Sequence, residues 1–115
     1  MIVKTSELTG AALDWAVAKV ISRAAEWDSS SGLLWFESSG HEWLVWSPSS
    51  DWEQGGPLLD KYNVWLSDDE GEAVASCHPH VNEFIHGAST RLIAACRAIV
   101  QSQLGNTVDV PEGLL

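Results

Sequence analysis

Residues 47–59 combine side chains that could bind a small anionic or aromatic ligand. The segment is bracketed by two prolines and contains a charged, an aromatic and an amide side chain followed by two glycines: Asp51, Trp52, Gln54, Gly55 and Gly56. Glycine permits a positive φ or a close approach of the backbone to another group, and functional loops on rigid scaffolds often use both. A well-packed structural Ω-loop has a similar composition, so both interpretations stay open.

A second group of donors precedes the last predicted helix. Ser89, Thr90 and Arg91 bring two hydroxyls and a guanidinium to a helix N-terminus, where unpaired N–H groups favour phosphate or carboxylate. The simpler interpretation is an ordinary helix cap formed by Ser89 or Thr90. If the two segments meet, Trp52 could stack on a base while the second group holds a phosphate. The sequence thus raises the hypothesis of a nucleotide pocket.

Metal binding and catalysis receive less support. The potential metal ligands near the middle of the chain are Cys77, His78, His80, His86 and Cys96. Their spacing lacks the gaps that let paired ligands converge on one zinc ion, so we expect no metal, no cofactor and two buried free thiols. His41 and Glu42 lack the second histidine of a zinc-protease helix, and neither a Gly-x-Ser-x-Gly elbow nor a Walker loop occurs. We therefore predict that the protein is not an enzyme.

Charge and composition limit the class of partner. The 115 residues carry 16 acidic and 6 basic side chains, a net charge of −10, and 7 tryptophans. This balance repels duplex nucleic acid, and the cations look scattered along the sequence. Mimicry of DNA would need a regular exposed double row of acids, whereas these alternate with tryptophan and leucine. No apolar run is long enough to span a bilayer, so we expect a cytosolic protein without membrane contact. The surplus of indoles predicts a pocket or a homodimer contact.

The pattern of apolar and turn residues predicts one α+β domain over residues 1–115, in which a small antiparallel sheet is packed by two long helices. The predicted strands are 2–5, 33–37, 42–46, 64–66, 72–77 and 107–111, and the predicted helices are 10–27, 57–62 and 89–104. Residues 67–71 are expected to form an acidic turn, 78–87 a loop, and the residues after Pro111 a loose tail. Both faces of the hairpin 33–46 are apolar, so we expect the outer face to meet a subunit, a lid or a ligand.

Three segments resemble the NinX-like family of small phage proteins. They are residues 3–19, the segment Ser47-Pro48-Ser49-Ser50-Asp51-Trp52 with Gln54-Gly55-Gly56-Pro57, and residues 92–98 continuing to 108–111. Together they extend from one end of the chain to the other, although the tryptophan-rich hairpin and the histidine-rich segment do not match a family pattern. The resemblance implies a phage origin and an accessory role in the cytoplasm of the infected bacterium. It does not supply a reaction.

Two functions follow as hypotheses. In the first, the protein binds and sequesters a small anionic ligand, such as a nucleotide signal of host defence, through Asp51, Trp52, Gln54, Gly55, Gly56, Ser89, Thr90 and Arg91. In the second, the tryptophan-rich hairpin face binds and blocks a host protein.

Overall fold

The computed structural model describes residues 1–77 and 85–114. Within them the chain forms eight short strands, three α-helices and two 3-10 helices. In chain order these are β1 (Ile2–Lys4), a 3-10 helix (Thr5–Glu7), α1 (Gly10–Val20), β2 (Glu26–Asp28), β3 (Leu33–Glu37), β4 (Trp43–Val45), α2 (Trp52–Lys61), β5 (Val64–Asp69), β6 (Glu72–Cys77), β7 (Ile85–Ala88), α3 (Arg91–Leu104), β8 (Thr107–Asp109) and a second 3-10 helix (Glu112–Leu114).

The predicted mixture of helices and antiparallel strands is confirmed, but the described strands form three small sheets instead of one. β1 pairs with β8, β2 and β4 flank β3, and β5 and β7 flank β6. Two of these sheets join strands that are neighbours in sequence, which short strands separated by tight turns favour. The pair β1–β8 is the exception, since it joins the two ends of the described chain.

The core lies between α1, α3 and the inner faces of the sheets. Leu13 and Val17 of α1, and Ile99 and Val100 of α3, are fully buried, as their helical spacing predicts. The many alanines on both helices let the two backbones approach closely. Buried Arg97 of α3 donates from Nε to the Leu8 carbonyl oxygen at 2.7 Å and so ties α3 to the segment that precedes α1.

The first helix ends at Val20, so the prediction that it continues to Trp27 is wrong. Ser22 has a left-handed backbone, with φ of 58°. The Arg23 amide donates to the Ala18 carbonyl at 2.8 Å and the Ser22 amide donates to the Lys19 carbonyl at 3.3 Å, which is the hydrogen-bond pattern of a Schellman motif. Glycine usually occupies this position, but here it is serine. The sequence therefore lacks the glycine that would mark the end of the helix. The chain then turns back, and residues 26–28 form β2.

We expect the substitution Ser22→Gly to stabilise the protein. The left-handed conformation costs an L-residue about 1–2 kcal/mol, and glycine avoids this strain. The greater flexibility of glycine in the unfolded chain offsets about 0.5–1 kcal/mol of the gain, so the free energy of unfolding should rise by about 0.5–1 kcal/mol. The free energy of unfolding in urea measures it. Ser29→Gly is the matched control, because Ser29 lies in a turn without a positive φ and the same change there should destabilise the protein slightly. An equal loss of stability in both variants would show that Ser22 is not strained.

The second helix begins at Trp52, so the predicted loop over residues 51–56 is wrong, as is the predicted helix start at Pro57. Asp51 caps the helix, because its side chain accepts a hydrogen bond from the Glu53 amide at 2.9 Å. The two glycines and Pro57 lie inside the helix despite their poor helix propensity. Packing at Gly55, described below, outweighs this local preference.

The remaining boundaries shift by smaller amounts. β5 continues to Asp69, so the predicted acidic turn is reduced to Glu70 and Gly71. Residues 78–84 of the predicted loop lie outside the described residues, whereas Ile85–Ala88 form β7. The segment after Pro111 is a 3-10 helix with Leu114 buried, and not a loose tail.

Candidate functional site

The predicted ligand-binding residues of α2 are placed near the start of α3. Adding a Cβ to Gly55 would bring that atom against the Pro48 carbonyl oxygen and within 2.8 Å of Leu92 Cδ2. Gly55 therefore packs directly against the residue that follows Arg91. A Cβ on Gly56 would meet only Trp52 Cε3, at 3.8 Å. The predicted close approach of the backbone to another group occurs at Gly55, and the approached atoms belong to Pro48 and Leu92 of the protein itself.

Most polar groups of this region are engaged within the protein. The Asp51 carboxylate caps α2. Gln54 accepts a hydrogen bond from the Ser47 amide at 2.6 Å and donates to the Val45 carbonyl at 2.7 Å, so it fixes the connection from β4 to α2. The indole of Trp52 is 54% exposed at the first position of the helix. It is available to a ligand and does not fill the core.

The predicted donors at the start of α3 have similar internal roles. Thr90 is the N-cap and its hydroxyl accepts from the Ile93 amide at 3.1 Å, while Ser89 is exposed beside it. Arg91 Nη2 lies 2.7 Å from Asp68 Oδ2. That hydrogen bond, together with the charge of Asp68, raises the pKa of Arg91. The two predicted segments are thus neighbours, and ligand binding by these residues remains a prediction.

A different cluster of cations lies at the C-terminal end of α1. Trp15, Lys19, Ser22 and Arg23 line a pocket of about 450 Å³ whose lining contains no carboxylate. The Lys19 ammonium lies 5.4 Å from the centre of the Trp15 ring. Two of the six cations of the chain therefore share one pocket, although the cations look scattered along the sequence.

Aromatic rings hold Arg23 in place. Its guanidinium carbon is 4.5 Å from the centre of the Phe36 ring and 4.8 Å from that of Trp46. These two rings meet edge to face, with centroids 5.4 Å apart. The Trp46 indole is itself anchored, because Nε1 donates to the Asp14 carbonyl at 2.8 Å. Stacking orients a guanidinium without neutralising its charge, so Arg23 keeps its capacity to bind an anion.

Two further pockets continue from the first along the sheet β2–β3–β4. Arg23 and Ala24 also line a pocket of about 500 Å³ that includes Glu26 and Trp43. Those two residues in turn line a third pocket, of about 260 Å³, together with Trp27, Asp28 and Trp35. We call the three adjoining pockets the α1–sheet groove. One end of the groove is cationic, and the other end is aromatic and acidic.

Strand register explains the aromatic and acidic end. Glu26 pairs with Trp35, and Glu37 pairs with Trp43, so all four side chains lie on the outer face of the sheet. Trp35 and Trp43 are diagonal neighbours across β3 and β4. Trp43 is 49% exposed, and the Trp35 indole N–H donates to Ser31 Oγ at 3.2 Å. Both indoles are thus available at the surface of the groove.

The sequence contains a signal for the cationic end, although the predicted site did not include it. Trp15, Lys19 and Arg23 are spaced four residues apart, which places the first two on one side of α1. The Schellman motif after α1 then returns Arg23 toward the sheet. The meeting of this stripe with Glu26 and Trp43 depends on tertiary packing and had no signal in the sequence.

A buried carboxylate supports the wall behind the groove. Asp14 of α1 accepts a hydrogen bond from the Ser49 amide at 2.8 Å and is buried. Burial raises the pKa of Asp14 to about 6, against the lowering effect of the hydrogen bonds with Ser49. Burial, and secondarily the charge of Asp14, raises the pKa of Cys96 to about 12. Cys77 and Cys96 are free buried thiols, as the sequence predicts.

Comparison with protein families decides the origin of the chain. The family described as Bacteriophage P22, NinX matches residues 4–103. The chain belongs to the NinX family. The match covers the whole α1–sheet groove and also the predicted residues of α2 and α3, so both candidate regions of this NinX protein lie inside the family domain. No curated protein matches the sequence. Among the described residues of this NinX protein, no helix is both long and apolar enough to cross a bilayer.

Proposed function

We propose that this NinX protein is a non-catalytic phage protein that binds a small anionic ligand and sequesters it in the cytoplasm of the infected host. We further propose that the ligand is a nucleotide that signals in host defence. The observation that supports anion binding is the pocket at the end of α1, where Lys19 and Arg23 face a shared space of about 450 Å³ without a carboxylate in its lining.

Electrostatics favour this pocket over the predicted site at α3. The chain carries a net charge of −10, so an anion is repelled from most of the surface and binds best where cations cluster. Arg91 is already paired with Asp68, and the carboxylates of Asp51 and Glu53 lie at the start of α2. Lys19 and Arg23 contact aromatic rings instead. A phosphate would therefore gain two charge-assisted contacts without displacing an internal partner.

Nucleotide titrations test the proposal and locate the site. Tryptophan emission and melting temperature are followed while mononucleotides and cyclic nucleotides are added, since a ligand at 100 times its dissociation constant stabilises the fold by about 2.7 kcal/mol. We expect Lys19→Ala and Arg23→Ala each to weaken binding by about tenfold or more, because each removes a charge-assisted hydrogen bond. Lys4→Ala makes the same change of net charge on β1, away from the groove, and should have little effect.

The same titrations with Trp52→Ala and Arg91→Ala test the site predicted from the sequence. Loss of binding in these two variants, with normal binding by the Lys19 and Arg23 variants, would move the site to the α2–α3 region. No saturable response to any nucleotide would contradict the proposed function.

A second candidate function is supported by exposed apolar side chains of the sheet β2–β3–β4. Leu33, Trp43 and Leu44 are 39%, 49% and 41% exposed. A surface of this kind suits a protein partner, either a host factor that is blocked or a second copy of this chain. Native mass spectrometry of the protein from infected cells distinguishes these cases, because it reports a retained small ligand, a bound host protein and a homodimer as different masses.

A further inference from the structure

We infer that the α1–sheet groove selects a guanine nucleotide, with its phosphate at Lys19 and Arg23 and its base in the pocket formed by Trp27, Trp35 and Trp43. This inference rests on the proposed binding of an anionic ligand and adds the identity of the base. It follows from three features of the groove, namely its indoles, its carboxylates and the order of its charges.

The indoles form a surface on which a base can stack. Trp35 and Trp43 lie diagonally on the outer face of the sheet and supply the two indoles of the stacking surface in the pocket of about 260 Å³. Trp27 also lines this pocket, but it pairs with buried Leu34, so its side chain points to the inner face. On that inner face the Trp27 indole lies beside the second 3-10 helix, since a Cβ on Gly113 would lie 3.7 Å from Trp27 Nε1. Every base has a π face, so stacking supplies affinity but does not choose between bases.

The carboxylates of the groove can distinguish one base from another. Within residues 1–77 and 85–114, no hydrogen bond or ion pair engages the Glu26 carboxylate, which lies opposite Trp35. Asp28, also in the lining, accepts hydrogen bonds from the Ser30 hydroxyl at 2.7 Å and the Ser30 amide at 3.1 Å, and the hydroxyl contact is the main cause that lowers the pKa of Asp28. Both side chains therefore offer carboxylate oxygens that can accept hydrogen bonds from a ligand.

Guanine is the base whose edge matches such an acceptor. Its N1–H and N2–H donors are adjacent and point in the same direction, so one carboxylate can accept both. Adenine and cytosine each place a ring acceptor next to their amino group, which would face a carboxylate oxygen unfavourably. Uracil offers one N–H between two carbonyl oxygens. Glu26 should therefore favour guanine over the other three bases.

The order of charges fixes the direction of the ligand. A phosphate is repelled by Glu26 and Asp28 and attracted by Lys19 and Arg23, whereas a neutral base tolerates the acidic end. The middle pocket of about 500 Å³ is lined by both Arg23 and Glu26, so it joins the two ends and has room for the ribose. A nucleotide can therefore occupy both ends only with its phosphate at the cationic end and its base at the acidic end, against the sheet.

Competition between mononucleotides tests this assignment. We expect GMP to bind at least about tenfold more tightly than AMP, CMP or UMP, and IMP, which lacks the N2 amino group, to lie between GMP and AMP. Glu26→Gln should remove most of the preference for GMP without weakening the binding of inorganic phosphate, since it removes only a repulsive charge. Glu7→Gln, an equal change of charge on the exposed 3-10 helix, is the control and should keep the preference.

The indole N–H signals in a ¹H–¹⁵N NMR spectrum report the position of the base. They are assigned with single Trp→Phe variants, and GMP should shift those of Trp35 and Trp43 but not that of Trp52. Equal affinity for all four nucleotides, or a preference that survives Glu26→Gln, would overturn the guanine assignment and leave the proposed anion binding intact. A lack of binding by every nucleotide and by phosphate would overturn both.

Discussion

Replacing Gly55 by alanine is expected to destabilise the protein by about 3 kcal/mol, near the upper end of the cost of overpacking a core. The added methyl group would collide with the backbone carbonyl of Pro48, and it would lie 2.8 Å from Cδ2 of the buried Leu92. Leu92 can adjust its rotamer, but a carbonyl oxygen can move only with its segment. That segment is held by the Ser49 amide, which donates to Asp14, and by the Ser47 amide, which donates to Gln54.

Gly56→Ala is the matched comparison, and it should cost much less stability. Apart from the adjacent residues and the helix backbone, the nearest atom to its Cβ would be Trp52 Cε3 at 3.8 Å, which is an ordinary van der Waals contact. Alanine is favoured over glycine inside a helix by about 1 kcal/mol, but its Cβ would also meet the ring of Pro57, which follows it in the helix. The two effects oppose each other, so this variant should lose much less stability than Gly55→Ala. Urea unfolding of both variants measures the difference. If Gly55→Ala were as stable as Gly56→Ala, the close approach of α2 to Pro48 would be wrong.

Stability should fall as the pH rises through the titration of Asp14. Burial raises the pKa of its carboxyl group from 3.8 in the unfolded chain to about 6 in the folded protein, so the folded state binds the proton more tightly. The resulting stabilisation is fully present below pH 4 and is lost as the pH rises through 6. By linkage, the whole pKa shift corresponds to about 3 kcal/mol of unfolding free energy.

Asp14→Asn isolates this contribution. The asparagine side-chain oxygen can still accept the hydrogen bond from the Ser49 amide, but it does not titrate. The difference in unfolding free energy between the parent protein and this variant should therefore change by about 2 kcal/mol from pH 4 to pH 7, in favour of the variant at higher pH. Asp60→Asn removes an exposed carboxylate and should show no comparable trend. A constant difference between parent and Asp14→Asn would mean that Asp14 titrates normally.

Much of the local structure could be predicted where side-chain patterns act within a few residues. The hairpin of β3 and β4 is recognisable from apolar residues around Ser38-Ser39-Gly40-His41, and α3 ends at Leu104 because Gly105 follows with a positive φ. The predicted end of α1 and the predicted start of α2 were wrong because an unusual conformation and a long-range contact override the local patterns. Ser22 adopts a conformation that usually requires glycine, and Gly55 remains helical because its missing side chain makes room for Pro48 and Leu92.

At the candidate sites, too, features set by neighbouring residues could be predicted, whereas contacts between distant residues could not. The sequence correctly suggested a close approach of the backbone at the glycine pair, which occurs at Gly55, and that Thr90 or Ser89 caps a helix. It could not show that Asp68 pairs with Arg91, because 23 residues separate them. It also could not show that Arg23 stacks on Phe36 and Trp46, although the spacing of Trp15, Lys19 and Arg23 was visible.

All the side chains that line the α1–sheet groove come from one continuous stretch, between Trp15 and Trp43. The ligand preference that we propose for this groove should therefore be transferable between members of the family. A chimera in which only this stretch is exchanged between two NinX proteins should acquire the ligand specificity of the donor.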